Sequence, residues 1–85
     1  MTDLELLIEL ALNNNLSKSE MNVIFFCWHE QRTSNEVAKY LHWASPNVAR
    51  LLLSMTNKGL LTRMLEQDKK SYLYSANKNS SLLNK

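Results

Sequence analysis

In 85 residues the chain has one glycine, one proline, one cysteine and two histidines, and each scarcity removes a class of chemistry. A single glycine, Gly59, cannot build the glycine-rich loop whose backbone N–H groups cradle a phosphate chain. A lone cysteine, Cys27, excludes an intramolecular disulfide, and with His29 and His42 it forms no zinc-ligand spacing, so neither a metal nor a cofactor is expected. Cys27 stands in the apolar run Val23-Ile24-Phe25-Phe26-Cys27-Trp28, where a buried thiol is expected. No nucleophile lies beside a histidine and no carboxylate pair shares an inward face, so no catalytic residue is assigned and an enzyme is not expected. Long apolar runs are also lacking. The longest is too short for a bilayer, and no basic leader precedes a small-residue cleavage site, so a cytoplasmic protein without membrane contact is expected.

What the sequence does contain is an ordinary globular composition, 45% hydrophobic and 21% charged, in a length that suits a single domain, residues 1–85, with a small core. Its net charge of +2 is unevenly spread. Residues 1–31 set Asp3, Glu5, Glu9, Glu20 and Glu30 against Lys18, a net of −4. Residues 32–85 set Arg32, Lys39, Arg50, Lys58, Arg63, Lys69, Lys70, Lys78 and Lys85 against Glu36, Glu66 and Asp68, a net of +6. The second half should therefore build a basic surface.

Three capping boxes punctuate the chain: Thr2-Asp3-Leu4-Glu5, Ser17-Lys18-Ser19-Glu20 and Thr33-Ser34-Asn35-Glu36. In each, a hydroxyl and a carboxylate satisfy orphan backbone donors at a helix start. The first predicts a helix over residues 3–12 whose polar stripe, Glu5, Glu9 and Asn13, is narrow, leaving more apolar surface than one small core can cover. Leu4, Leu6, Leu7 and Leu10 are accordingly candidates for a homodimer contact. Asn13-Asn14-Asn15 ends that helix. The second box predicts a central helix over residues 18–30, with Met21, Ile24, Phe25 and Trp28 inward and Val23, Phe26 and Cys27 widening the face. The third opens a short helix with Val37, Ala38, Tyr40 and Leu41 inward. Ser45-Pro46 reads as an N-cap followed by proline at the first helical position. The helix it opens buries Val48, Leu51, Leu52 and Met55, exposes Asn47, Ala49, Arg50, Leu53, Ser54 and Asn57, and ends at Gly59 in the left-handed region. Residues 60–65 and 71–76 alternate like strands, with Tyr72 and Tyr74 on one side and Leu73 on the other, so a hairpin with the charged tip Glu66-Gln67-Asp68-Lys69-Lys70 is expected. The polar tail, residues 78–85, is either frayed or, through Leu82 and Leu83, a short dimer-stabilising turn.

Two short helices joined by a turn, the second presenting small, amide and basic side chains, are the parts with which a helix-turn-helix enters the DNA major groove, and a basic hairpin after them is what a wing requires. The expected fold is mainly α with a small β-hairpin, an α+β winged helix-turn-helix. Its expected DNA-binding residues are Ser34, Asn35, Ser45, Pro46, Asn47, Ala49, Arg50 and Ser54 on the two helices, with Arg63, Gln67, Lys69 and Lys70 on the hairpin. Trp28, Trp43, Phe25 and Phe26 fall on inward faces and are read as core or dimer packing.

The run from Glu36 to Leu61 resembles the multiple-antibiotic-resistance repressor (MarR) family, with Ala38, Leu41, Ser45, Val48, Arg50, Leu52, Met55, Lys58, Gly59 and Leu60 in the places of that family's motif. Asp68-Lys69-Lys70 resembles its Asp-Arg-Arg wing signature, and Leu16-Ser17-Lys18-Ser19-Glu20 its helix opening. The resemblance covers about residues 16–77 and implies a winged-helix core there, with residues 1–15 as an additional N-terminal helix. It implies a homodimeric regulator of transcription that binds double-stranded DNA sequence-specifically, as a repressor rather than an activator.

Three positions depart from the family. His42 stands where glycine is frequent, so either the turn differs or His42 is left-handed, which histidine tolerates. Lysines replace both wing arginines, keeping charge but losing the planar fork. The family's C-terminal dimer helices have no counterpart before Lys85, which moves the expected dimer contact to the first helix and gives no ground for carrying over small-molecule induction. A protein–protein interaction module is the alternative, favoured by the exposed Leu53. A plasmid or phage partition or replication factor is a variant of the DNA-binding reading.

Overall fold

The three capping boxes form as expected. The Thr2 hydroxyl accepts from Glu5 N at 3.2 Å and the Glu5 carboxylate from Thr2 N at 3.2 Å. The same exchange joins Ser17 and Glu20 at 3.1 and 2.9 Å, and Thr33 and Glu36 at 3.2 and 2.9 Å. These local bonds fix where three of the four helices begin in the computed structural model, which describes residues 2–13, 15–66 and 71–79. The order is α1 Asp3–Ala11, α2 Lys18–Phe26, α3 Ser34–Leu41, α4 Ser45–Asn57, β1 Leu61–Leu65 and β2 Tyr72–Ala76. The α+β class is therefore as expected.

Helix α2 stops four residues short of the periodicity-based expectation, and the reason is tertiary. Cys27 ends it at φ −93° and ψ 5°, and the carbonyls released there find partners. Phe26 O accepts from Arg32 Nε at 3.1 Å, and Cys27 O accepts from Ala76 N at 3.2 Å. The segment then pairs with the hairpin through one isolated bridge, in which Arg32 and Tyr74 exchange both backbone hydrogen bonds at 2.8 Å. Satisfying those groups against Arg32 and β2 replaces one further turn of helix.

The hairpin is antiparallel, with Leu61 opposite Ala76, Arg63 opposite Tyr74 and Leu65 opposite Tyr72. Residues directly opposite share a face. Leu61, Tyr74 and Ala76 turn into the core, while Thr62 and Ser75 meet on the other face, their hydroxyls 3.0 Å apart. Gly59, at φ 79°, supplies the left-handed residue past α4. The residue after β2 is tied back to the end of α4: Asn77 N donates to Leu60 O and its Nδ2 donates to Gly59 O, both at 2.9 Å.

All six elements share one apolar core. It gathers Leu6 and Leu10 of α1, Val23, Ile24 and Cys27, Val37, Val48, Leu52 and Met55 of α4, Leu60 and Leu61, and Tyr74 and Ala76. Burial pushes the Cys27 thiol up to about 12, which makes it an inert packing group. One buried charge serves the same core boundary. Glu20 is only 4% exposed, and beyond its bond to Ser17 it accepts from Lys58 Nζ at 2.8 Å, joining the start of α2 to the end of α4. Burial acts to raise its carboxyl, but hydrogen bonds from Lys58 and Ser17 outweigh that and hold it below the usual range.

Two readings of apolar residues need correction. Leu6 and Leu10, expected at a dimer contact, belong to the chain's own core; the apolar residues that α1 leaves outside are Leu4, Leu7 and Ile8, with Leu12 just beyond it. Tyr40, expected inward, is exposed on α3 and stacks on Phe26, with ring centroids 4.1 Å apart and planes 8° from parallel. Stacking on a half-buried ring satisfies its apolar surface without bringing its hydroxyl into the core. Among the described residues no helix is long and apolar enough to cross a membrane.

Candidate nucleic-acid interface

Helix α3 ends at His42, whose φ of 59° and ψ of 41° place it in the left-handed region, so of the two sequence alternatives the strained histidine is the one adopted. The reversal lets Trp43 N return to Ala38 O at 3.1 Å and redirects the chain into α4. The start of α4 differs from expectation. Ala44, not Ser45, is the N-cap, and it has no side-chain cap bond; Ser45 and Pro46 take the first two helical positions. The capping role assigned to Ser45 is therefore wrong: Ala44, at φ −66° and ψ 143°, is the last non-helical residue, and Ser45 already lies within the helix.

Along α4, Val48, Leu52 and Met55 are fully buried and Leu51 half-buried, so the opposite face is fixed by the 3.6-residue period. It exposes Asn47, Ala49, Arg50, Leu53, Ser54 and Asn57, as expected. The face carries no acidic residue, and Arg50 makes no ion pair among the described residues. Ser34 and Asn35 lie exposed in the first turn of α3. Two shallow grooves run where α3 and α4 meet. One, of about 500 Å³, is lined by His42, Trp43, Ala44, Asn47 and Arg50; the other, of about 330 Å³, by Asn35, Ala38, Lys39, Trp43 and Ser45.

Trp43 is common to both grooves and is 38% exposed, so it is not a core residue of the chain. The inward expectation fails at His42: extending the helical phase of α3 across the turn puts Trp43 inward, whereas a left-handed residue breaks that phase. Lys39 and His42 also line the grooves, although the sequence marked His42 only for its turn and Lys39 only for its charge. The available signal was the turn itself, which obliges the residues on either side of it to share the surface between the two helices.

The other cations of the described basic half are mostly engaged. Arg32 lies 4.2 Å from the Phe26 ring centroid and pairs with Glu30 at 3.2 Å and Glu36 at 3.9 Å. Lys58 holds Glu20, and Lys78 sits 5.1 Å above the Trp28 ring. Arg63, an expected wing residue, is exposed on β1 with its guanidinium 4.3 Å from the Tyr72 ring centroid, a contact that orients the cation without neutralising it. Gln67, Lys69 and Lys70 of the expected tip, and Leu82 and Leu83 of the expected dimer tail, lie outside the described residues.

The free positive charge that the described structure offers at one place is thus Lys39 and Arg50 on either side of Trp43, with amides and hydroxyls between them. Chemically this surface can donate hydrogen bonds and attract an anion. Among the described residues, no three of His, Cys, Asp and Glu gather to hold a metal ion. No protein-family model matches the chain, and no curated protein matches it in sequence.

Proposed function

We propose that the chain is a winged helix-turn-helix domain that binds double-stranded DNA, and that it works as a small homodimeric transcriptional repressor. The observation that carries this reading is the acid-free exposed face of α4, with Asn47, Ala49, Arg50 and Ser54 on it, presented by a tight turn from α3 and followed directly by a hairpin. A helix of 13 residues with small and amide side chains outward can enter the major groove, where amide and guanidinium groups read base edges. The uneven charge supports the same reading, because the acidic half lies at the opposite end of the chain from α4 and the hairpin. The outward Leu4, Leu7 and Ile8 of α1 support the dimer.

One observation favours a second reading. Leu53 is 49% exposed at the middle of the α4 face, where a groove-reading helix gains little from a leucine, and a protein partner would cover it. Titrating the full chain against a labelled random-sequence duplex at about 50 and 200 mM salt separates the two. Phosphate neutralisation by several cations makes affinity fall by orders of magnitude over that range. Salt-insensitive binding, or none at the lower salt, would favour the protein partner.

A further inference from the structure

Trp43 has no assigned role in the reading above, yet it stands at the centre of the candidate surface. A tryptophan bears the largest apolar side chain, and Trp43 leaves 38% of its surface exposed beside polar neighbours, where a ligand can cover it. Its indole N–H makes no hydrogen bond within the described residues. On its two sides are Lys39 and Arg50, which make no ion pair among the described residues, and no described carboxylate lines either groove. The nearest acid on α3, Glu36, is occupied by the Thr33 cap and by Arg32.

We propose that Trp43 is a DNA-contacting residue which seats the domain on the sugar–phosphate backbone at the edge of the major groove. This rests on the duplex-binding reading and deepens it. The indole face covers a deoxyribose, the Nε1–H donates to a phosphate oxygen, and Lys39 supplies charge on one side, while Arg50 on the other reaches past the backbone to base edges. Phosphodiester chemistry is the occupant that fits: it is anionic where the surface is cationic, accepts hydrogen bonds where the surface offers a donor, and carries the apolar C–H face of a sugar beside its charge. The contact fixes the depth and angle of α4 without reading a base. Its signature is therefore an uncharged contribution to affinity, in contrast to the charged contribution of Lys39.

The test uses the full chain and a labelled duplex, read by fluorescence anisotropy over a salt series, with Trp43→Phe, Trp43→Ala and Lys39→Ala. Trp43→Ala should weaken duplex binding roughly tenfold on specific and random sequences alike and leave the slope of log affinity against log salt unchanged, whereas Lys39→Ala should flatten that slope by about one. Trp43→Phe should fall between wild type and Trp43→Ala. Acrylamide quenching of the unsubstituted protein supplies a readout that needs no variant: the more accessible tryptophan fraction should become protected on adding duplex. Wild-type affinity in Trp43→Ala, with tryptophan accessibility unchanged by duplex, would overturn the inference and leave the DNA reading standing. Absence of any duplex binding at low salt would overturn both. Tighter binding of single strands than of duplex, with the larger Trp43→Ala loss on single strands, would overturn the backbone placement in favour of base stacking on the indole.

Discussion

Arg50 projects from the face of α4 opposite Val48, Leu52 and Met55 and makes no ion pair among the described residues, so its substitution should leave the core intact. Arg50→Ala is expected to cost about 1–3 kcal/mol on a preferred duplex and little on random sequence, relaxing specificity. Equal losses on both duplexes would show that Arg50 only touches phosphate. A second residue-scale expectation concerns Glu20. Its folded carboxyl is held below the usual range by Lys58 and Ser17 despite burial, so it contributes stability above the unfolded carboxylate pKa, and that contribution is lost as pH falls through the depressed folded value. Glu20→Gln should lower the urea midpoint at neutral pH and shrink the difference from wild type under acid; an equal difference at both would remove Glu20 from the pH dependence. The outward place of Arg50 was legible in the sequence, and the bonding of Glu20 only in part. The capping box announced a bond from Glu20 to Ser17, but its reach to Lys58 depends on α4 ending beside the start of α2, which only the packed core decides.

At the scale of elements, local signals transferred well and signals that needed a partner did not. Each capping box lies within four residues and formed, and Gly59 took the left-handed conformation its place after α4 demanded. The end of α2 was invisible because its carbonyls are satisfied by Arg32 and by Ala76 of the hairpin. The inward and outward leucines of α1 could not be sorted either, since nearly the whole helix is apolar and periodicity then has no contrast to work with. The N-cap of α4 was misplaced by one residue for want of the backbone conformation at Ala44. That last difference has a measurable consequence. Ala44 offers no side-chain bond to the first turn of α4, so Ala44→Asp should raise stability by about 0.5–2 kcal/mol in chemical denaturation. Because Ala44 lines the groove beside Arg50, the same carboxylate should weaken duplex binding, and a variant that gained stability and affinity together would contradict the placement of the interface.

Taken whole, the molecule buries Leu6 and Leu10 of α1 in its own core and leaves Leu4, Leu7 and Ile8 outside, where the proposed dimer would cover them. Leu10→Ala should cost about 2–5 kcal/mol by opening a cavity in the core. The double substitution Leu4→Glu with Ile8→Glu touches outward positions, so it should convert a sedimenting dimer to a folded monomer with little loss of secondary structure. A dimer that survives it would place the contact elsewhere. The α+β class and the exposed face of α4 could be read from periodicity. The grouping of Lys39, Trp43 and Arg50 at one surface could not, because it arises from two helices meeting across a left-handed turn.

The lone bridge between Arg32 and Tyr74 carries one more consequence. Two amide hydrogens, one in the segment between α2 and α3 and one in β2, are each held by a single bond across that bridge. Their exchange with deuterium therefore clocks the undocking of the hairpin from the helices, separately from the unzipping of the hairpin itself, which the Glu66 amide bonded to Ser71 O reports. Should the hairpin clamp against a ligand, the Arg32 and Tyr74 amides will slow together on binding. Should it swing to make room for one, they will quicken together while the helical amides of α4 stay protected.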